Sequence, residues 1–344
     1  MSKITIEIDV DDLSKLEKDC VIRVRLSDLT VAMADGPTVQ AKEAVKLSTC
    51  MQKMIDRNLA MGKERTAETY QSTLRSFSRF LDGREILLSE MDRDMMRAYE
   101  ADMRSKGIAL NTSSFYLRKL RAVYNRAVEE GLVDDVKPFK DVYTGRCSTR
   151  KRAVGIDMIR KIRDYQPKGR TETLAQGLFL FSFYTRGMPF VDMAHLKKTD
   201  LTGGYLTYQR RKTGQRLTVR WEKDMQEVVD RLSAYANEDS VYLLPVIKHG
   251  QKNERGQCRS MQLLVNKGLK RISKRIGMEY GLTLYVARHS WASIARGIGV
   301  SMSVISQALG HTTEKTTQIY LQTLDRNVID QANISVIEHL KHPV

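Results

Sequence analysis

The sequence has few of the residues that mark secreted, disulfide-bonded or membrane-spanning proteins. It holds four cysteines in 344 residues, with no C-x-x-C pair, so neither a zinc site nor a disulfide framework is indicated. The longest apolar run, residues 178–184, is far too short to span a bilayer. The amino terminus alternates charged and apolar residues where a signal peptide would need an apolar core. These absences predict a folded protein of the reducing cytoplasm.

Motifs for nucleotide cofactors and common hydrolases are also missing. The sequence has no G-x-x-x-x-G-K, G-x-G-x-x-G, H-E-x-x-H or G-x-S-x-G pattern. We therefore predict that the protein needs no cofactor and no metal.

An excess of basic residues is the main feature of the composition. Lys and Arg number 57 against 41 Asp and Glu, giving a formal charge of +16 and a pI near 9.6. Such a charge favours a polyanionic partner, with nucleic acid ahead of a membrane surface.

Residues 1–40 have the opposite charge balance. They carry five basic and eight acidic residues, so the rest of the chain carries +19. Alternating apolar residues here predict two short strands. The negative sign favours a packing or protein-contact element, with a DNA-contacting extension as the alternative.

Residues 41–145 predict a helical domain. Apolar residues recur three and four positions apart, as in the stripe Tyr70, Leu74 and Phe77, which indicates a compact bundle of about four helices. One segment carries Arg118 and Arg121, which suit either a solvated face or contact with phosphates.

Residues 137–153 lose this periodicity and hold five basic residues from Lys140 to Arg152, so we place the domain boundary there. A second domain then spans residues 146–335, followed by a tail at 336–344. Helices are predicted near 157–165 and 171–185, followed by a β-hairpin of residues 205–210 and 216–221. The predicted fold class is mainly α with a small β component. The basic linker residues are candidates for phosphate contact: Arg150, Lys151 and Arg152.

The most informative residues lie in the carboxyl-terminal third. Arg288 stands in Y-V-A-R-H, and Leu309-Gly310-His311 is followed nine residues later by Tyr320. These residues, over about 45–335 of the chain, resemble the tyrosine recombinase (phage integrase) family, which has an H-x-x-R pattern, then L-G-H, then a nucleophilic tyrosine at that offset. The resemblance implies a SAM-like core-binding domain and an α+β catalytic domain that close on DNA as a C-shaped clamp.

The resemblance also implies a chemistry. Tyr320 would attack a DNA phosphodiester, giving a 3′-phosphotyrosyl bond and a free 5′-hydroxyl without a metal or nucleotide. Arg288 matches the second catalytic arginine, His311 the second histidine and Lys212 the lysine of the β-hairpin. Guanidinium groups suit this reaction because they hold equatorial phosphate oxygens bidentately, and a lysine can protonate the leaving oxygen.

Two positions depart from the family pattern. Tyr285 stands where the family has the first histidine, and a tyrosine at neutral pH positions a phosphate better than it accepts a proton. When Asp192 is aligned with the family's acidic residue, the first arginine is expected at position 189, where this chain has a proline. Arg186 lies three residues earlier, about one helical turn, so we expect it to act at the phosphate, with an ion pair to Asp192 as the alternative.

The implied partner is double-stranded DNA carrying recombination sites. Arg210 and Arg211, beside Lys212, are predicted to contact its backbone. We expect a homotetramer on paired sites, a monomer without DNA, accessory DNA-bending proteins, and a cytoplasmic, nucleoid-associated location. The tail at residues 325–340 is expected to dock on a neighbouring protomer, with a helix that packs on its own chain as the alternative. Integration or excision of a mobile element is the first choice. The alternatives are a DNA invertase, a dimer resolvase, a type IB topoisomerase-like enzyme and a DNA-binding protein with impaired catalysis.

Overall fold

The computed structural model describes residues 45–147, 153–248, 250 and 253–321, with the backbone alone at residues 319 and 320. The predicted amino-terminal strands and the predicted tail helix lie outside the described residues. The chain divides into two compact units, Met1–Ser148 and Thr149–Val344, and this division falls inside the aperiodic segment 137–153.

The described part of the first unit contains four α-helices. In the predicted stripe, Tyr70 and Phe77 are buried and Leu74 is partly buried. The Phe77 ring lies 4.9 Å from that of Tyr99 in an edge-on contact. Asp92 caps the third helix by accepting a hydrogen bond from the Met95 backbone N–H at 2.8 Å. The helices are α1 (Leu47–Ala60), α2 (Glu64–Phe80), α3 (Arg93–Ser105) and α4 (Leu110–Glu129).

Residues 137–147 pack against this bundle as irregular chain. Phe139 and Val142 are buried in the bundle core. Asn111 of α4 exchanges two hydrogen bonds with the Cys147 backbone, at 2.8 and 2.9 Å. The segment without periodicity is therefore packed coil, because two buried apolar side chains hold it against the bundle without a helix or strand.

The second unit combines helices with one small sheet. Its helices are α5 (Ile156–Asp164), α6 (Gly169–Tyr184), α7 (Phe190–Ala194), α8 (Lys223–Ser233), α9 (Glu254–Arg275), α10 (Leu284–Gly297), α11 (Met302–Leu309) and α12 (Glu314–Leu321). Its strands are β1 (Leu201–Thr202), β2 (Tyr205–Gln209) and β3 (Arg216–Arg220), in the antiparallel order β1-β2-β3. The prediction of a mainly helical fold with a small β component is confirmed. No helix among the described residues is long and apolar enough to cross a membrane.

Helix α6 is the centre of this unit. Leu174, Leu178 and Phe181 are fully buried, and α8, α9 and α10 pack around them. A helix that is apolar on all sides belongs in a core, and each such side chain contributes about 1.5–3 kcal/mol of burial free energy. This rigid support positions the turn that follows α6.

Two elements at the edge of the unit carry predicted site residues. The β2–β3 hairpin is closed by two backbone hydrogen bonds, from Arg210 N–H to Gln215 O and from Gly214 N–H to Arg210 O, both 2.8 Å. Helix α12 packs through Leu321 on an apolar cluster that includes Ala292 of α10 and Leu309 of α11. The hairpin and α12 therefore both approach the end of α11.

Candidate active site

Arg288 is buried in the second unit, on α10, with 4% of its surface exposed. Its Nη1 donates to the Gly187 carbonyl at 2.8 Å, and its Nη2 donates to the Leu309 carbonyl at 2.5 Å. Nη2 also lies 3.2 Å from His311 Nε2. One guanidinium thus joins the turn after α6, the end of α11 and the histidine of the L-G-H pattern.

Arg210 is buried beside Arg288, with 6% of its surface exposed. Its Nη1 donates to the Leu309 carbonyl at 2.7 Å and also to the Gly310 carbonyl. Because the Leu309 oxygen accepts from both arginines, the two guanidinium groups lie side by side. Arg211, the next residue, is exposed. The sequence predicts the same role for Arg210 and Arg211, but the structure places them in different environments. Of the two, Arg211 has the surface position expected of a residue that contacts the DNA backbone.

Two glycines allow these arginines to approach the chain. Gly310 has φ +63°, and a Cβ there would lie 2.8 Å from Leu217 Cδ1 and 3.1 Å from Arg210 Cδ. Gly187 has φ +71°, and a Cβ there would lie 2.6 Å from Arg288 Cα. A side chain at either position would be strained by its backbone and by contact with the site. Close packing therefore explains why the L-G-H pattern has a glycine at position 310.

His311 follows directly and contacts both Arg288 and the helix that carries Tyr320. Its Nδ1 lies 2.7 Å from Thr317 Oγ1 on α12. Burial lowers the pKa of His311 to about 4, helped by the positive charges of Arg288, Arg210 and Lys212. The ring is therefore neutral at physiological pH.

We expect His311 in the folded protein to stay neutral well below its ordinary pKa of 6.5, because its pKa is lowered to about 4. The unfolded chain binds the proton more tightly, so this group's contribution to stability is present above pH 6.5 and is lost as the pH falls toward 4. Nitrogen-15 NMR of the ring should show a midpoint near pH 4 in the folded protein and near 6.5 in urea. His311→Gln assigns the signal, and a folded-state midpoint near 6.5 would contradict the expected crowding by cations.

Asp192 and Lys212 define the hairpin side of the site. Asp192, on α7 and 4% exposed, accepts a hydrogen bond from the Arg211 backbone N–H at 3.0 Å. Burial raises the pKa of Asp192, although that hydrogen bond and the charge of Arg210 act in the other direction. Asp192 therefore braces the hairpin. Lys212 is exposed at the hairpin tip, and its charge acts on His311.

Arg186 lies in a left-handed turn with φ +60°, after the end of α6. The chain from Arg186 to Pro189 is not helical, so the assumption of one helical turn between them is wrong. Its Nη1 donates to the Thr218 carbonyl of β3 at 3.3 Å. Within the described residues no ion pair joins Arg186 to Asp192, which contacts the Arg211 backbone instead. Arg186 is half-buried at the hairpin, and its action at a phosphate stays a prediction.

The two tyrosines of the predicted site lie on different helices. Tyr320 is in the last turn of α12, where the neighbouring residues Thr317 and Leu321 are 0% and 6% exposed. Tyr285 is in the first turn of α10, 59% exposed, with its ring edge-on to His289 at 4.6 Å. The contact of Tyr285 with a phosphate stays a prediction.

Two of the predicted DNA contacts are held within the first unit. Arg118 Nη1 donates to the Gly145 carbonyl at 3.3 Å, and Arg121 Nη1 donates to Thr144 Oγ1 at 2.8 Å. Both side chains are half-buried and fasten the chain that follows α4. Three further candidates lie outside the described residues: Arg150, Lys151 and Arg152.

The sequence reasoning missed the roles of three residues at this site. The sequence does not distinguish Arg210 from Arg211 or Thr317 from Thr316, and it gives no reason to select Gly187. The R-R-K run gives no signal for which arginine is buried. Among the described residues, no three His, Cys, Asp or Glu side chains cluster as metal ligands.

Comparisons with known proteins identify both units. A family model described as phage integrase SAM-like domain matches residues 46–142, and one described as phage integrase family matches residues 159–327. Tyrosine recombinase XerA of Pyrococcus furiosus is 24% identical over 272 residues, covering 77% of this chain and 89% of that protein. Tyrosine recombinase XerC of Pelotomaculum thermopropionicum is 24% identical over 277 residues, covering 74% and 87%.

Solved structures show the same fold. A lambda integrase dimer bound to a COC′ core site has a TM-score of 0.62 at 15% identity, covering 81% of this chain and 78% of that one. The Tn1549 transposon integrase in complex with transposon right end DNA has a TM-score of 0.62 at 12% identity, covering 86% and 100%. The SAM-like and catalytic domains expected from the resemblance are thus confirmed.

Proposed function

The chain belongs to the phage integrase family of tyrosine recombinases, and we propose that it cuts and rejoins specific DNA sites through a covalent bond between Tyr320 and a 3′-phosphate. The observation that carries this proposal is the convergence of Arg288, Arg210 and His311 on the end of α11, against which the helix of Tyr320 packs.

The two guanidinium groups suit a phosphate in its transition state. As the phenol oxygen approaches, negative charge spreads over the non-bridging oxygens of phosphorus, and preorganised donors stabilise that charge. Arg288 and Arg210 lie side by side and are nearly excluded from water, where such interactions are strongest. Each guanidinium has five N–H groups, all of them donors, in a planar arrangement that matches phosphate oxygens. We assign both arginines to the phosphate oxygens.

The bonds and protons balance without an added reactant. The Tyr320 oxygen forms a bond to phosphorus, and the bond from phosphorus to the 5′-oxygen breaks. Lys212 at the exposed hairpin tip gives a proton to that leaving oxygen, while the phenol proton passes to a base on the enzyme. Attack by a 5′-hydroxyl reverses each step and rejoins DNA, so the phosphotyrosyl bond conserves the energy of the broken one.

The biological role we propose is integration and excision of a mobile element. The likeness to the Tn1549 transposon integrase supports this choice over inversion and dimer resolution. Structures of lambda integrase include a dimer on a core site and a tetramer on a Holliday junction, which supports a tetramer of this chain on paired sites. We further propose that both units bind DNA, that DNA-bending proteins assist and that the protein acts at the nucleoid.

A nicked suicide substrate tests the proposal. The duplex should span the DNA repeats that flank the element, with a nick that lets the short 5′-hydroxyl strand diffuse away after cleavage. We expect the full chain to accumulate a covalent protein–DNA adduct on a denaturing gel, and intact sites to give joined recombinant products. Scrambled repeats are the control. Absence of an adduct would identify a DNA-binding protein, and an adduct without joined products would identify a topoisomerase-like enzyme.

A further inference from the structure

Helix α9 carries charge of almost one sign. Its 22 residues hold seven basic side chains and one acidic side chain, that of Glu254 in the first turn. Glu254 accepts a hydrogen bond from the Tyr242 hydroxyl at 2.5 Å, and Arg275 at the other end donates to Glu172 at 2.8 Å. From Arg259 onward the helix has no acid, whereas a helix face that is merely solvated usually alternates both signs. The basic residues between its ends therefore need a different explanation.

One face of α9 is exposed and basic. Val265, Leu269 and Ile272 are 0% exposed in the core of the unit. The opposite face presents a strip of exposed side chains, three or four residues apart and within about 80° of the helix circumference at about 100° per residue. This α9 strip consists of Arg259, Leu263, Lys267, Lys270 and Lys274. It combines four positive charges with one apolar side chain.

The α9 strip lies beside the start of α10, the helix of Arg288. Asn266, next to the strip on α9, accepts a hydrogen bond through its Oδ1 from the Leu284 backbone N–H at 3.0 Å. Lys270 packs against the chain at Gly281, where a Cβ would lie 3.2 Å from Lys270 Cγ. Leu284 and Arg288 are about 6 Å apart along α10. A duplex whose phosphate is held at Arg288 can therefore reach the strip.

The dimensions and the charge of the α9 strip suit the major groove of DNA. From Arg259 to Lys274 it extends about 22 Å, at 1.5 Å per residue. An α-helix with its side chains is about 10–12 Å across, and the major groove is about 12 Å wide. Lysine side chains of a helix in the groove can bind the phosphates on its two edges. Such contacts position a duplex without reading its sequence.

Leu263 is the uncharged member of the strip, and it is 65% exposed. It lies about one helical turn from Arg259 and from Lys267, so cations flank it on both sides. An apolar side chain gains nothing from a phosphate. In the major groove it can contact the C5-methyl group of thymine, which marks an A·T pair there.

We propose that α9 enters the major groove beside the cleaved phosphate, where Leu263 contacts a thymine methyl group and the lysines of the strip bind the flanking phosphates. The inference rests on the proposed function, and it names a residue by which this chain recognises its DNA site. Leu263 determines specificity, while the lysines supply affinity that is independent of sequence.

A deoxyuridine scan tests the contact of Leu263. Deoxyuridine pairs as thymidine does but lacks the methyl group, so each thymine of the site is replaced in turn and the affinity of the full chain is measured by mobility shift. We expect one or two replacements to weaken binding by about three- to fivefold, the usual effect of one methyl group. Leu263→Ala should bind those sites and the unmodified site equally. Leu264→Ala is the matched control, since Leu264 lies off the strip, 38% exposed, and it should keep the wild-type response.

The lysines have a separate readout. Lys267→Ala should weaken binding to every duplex by a similar factor, and it should reduce the slope of log affinity against log salt concentration by about one. Lys223→Ala is the matched control, because this lysine lies on α8 with its side chain 89% exposed, and it should leave the slope unchanged. A strip that is merely solvated, or that binds an acidic protein, leaves the salt slope and the deoxyuridine response unchanged by these substitutions, which overturns the inference.

The adduct assay separates this inference from the proposed function. A wild type that forms the covalent adduct but shows no deoxyuridine response overturns the inference alone. A wild type that forms no adduct overturns the proposed cleavage, while a deoxyuridine response that is lost in Leu263→Ala still supports the groove contact.

Discussion

Replacing Tyr320 by phenylalanine is expected to abolish covalent attachment to DNA, with a loss of at least about 10⁴-fold in the cleavage rate. The substitution removes one oxygen atom, the one that would form the bond to phosphorus, and leaves the ring. Helix α12 should keep its place, since Leu321 and Thr317 are buried against the rest of the unit. Duplex binding should therefore match that of the wild type, because phosphate contacts come from other residues.

Two measurements check this expectation. The adduct with the suicide substrate is scored on a denaturing gel, and duplex affinity is measured by mobility shift at the same salt concentration. Tyr205→Phe is the matched control, since Tyr205 is a half-exposed phenol on β2 outside the site, and it should form the adduct at the wild-type rate. An adduct that survives in Tyr320→Phe would place the nucleophile on another residue.

Several of the predicted site residues share a local signal in the sequence. The spacing of Leu309, Gly310, His311 and Tyr320 is short, and the elements that carry them follow within a dozen residues. Arg288 was predicted from a similar pattern on one helix. Burial, the left-handed cap at Gly310 and the contact between Arg288 and His311 agree with these assignments of place. Local sequence determines such features because helix caps and helix periodicity are themselves local.

What the sequence could not predict depends on contacts between distant segments. Arg210 and Arg211 are adjacent and chemically identical, yet one is buried and one exposed. The difference arises because Asp192 takes the Arg211 backbone N–H, while the carbonyls of Leu309 and Gly310 receive the Arg210 guanidinium from about a hundred positions away. A pattern within one hairpin has no information about either partner.

The same limit explains the error at the turn after α6. The spacing between Arg186 and Pro189 suits one turn of helix, but the helix ends at Tyr184 and the chain reverses through a left-handed residue. Gly187 completes that turn and lets the Arg288 backbone pack closely against it. The turn packs against α10 at Gly187, and residue spacing alone does not encode that contact.

Replacing Arg210 by alanine is expected to lower the cleavage rate by about 10²- to 10³-fold, the usual cost of removing one preorganised donor to a developing oxyanion. Lysine at this position should recover only part of the loss, because an ammonium cannot reach two carbonyls and a phosphate at once as a planar guanidinium can. Single-turnover cleavage at saturating DNA measures the effect without interference from binding. Arg211→Ala is the matched control, and it should weaken duplex affinity while leaving cleavage of bound DNA nearly unchanged.

If the role of Arg210 is purely structural, a different result is expected, so the catalytic and structural roles can be distinguished by experiment. Arg210→Ala leaves the Leu309 carbonyl with Arg288 and the Gly310 carbonyl without its side-chain donor, which costs on the order of 1–3 kcal/mol of stability. Thermal unfolding reports that cost, and Arg210→Lys restores some of it without restoring the bidentate hold on phosphate. If cleavage follows stability across the alanine and lysine variants, Arg210 is structural. If Arg186→Ala then shows the larger loss of cleavage, Arg186 is the second arginine that binds the phosphate. Its side chain would have to leave the Thr218 carbonyl, to which it donates in this structure, when the hairpin moves.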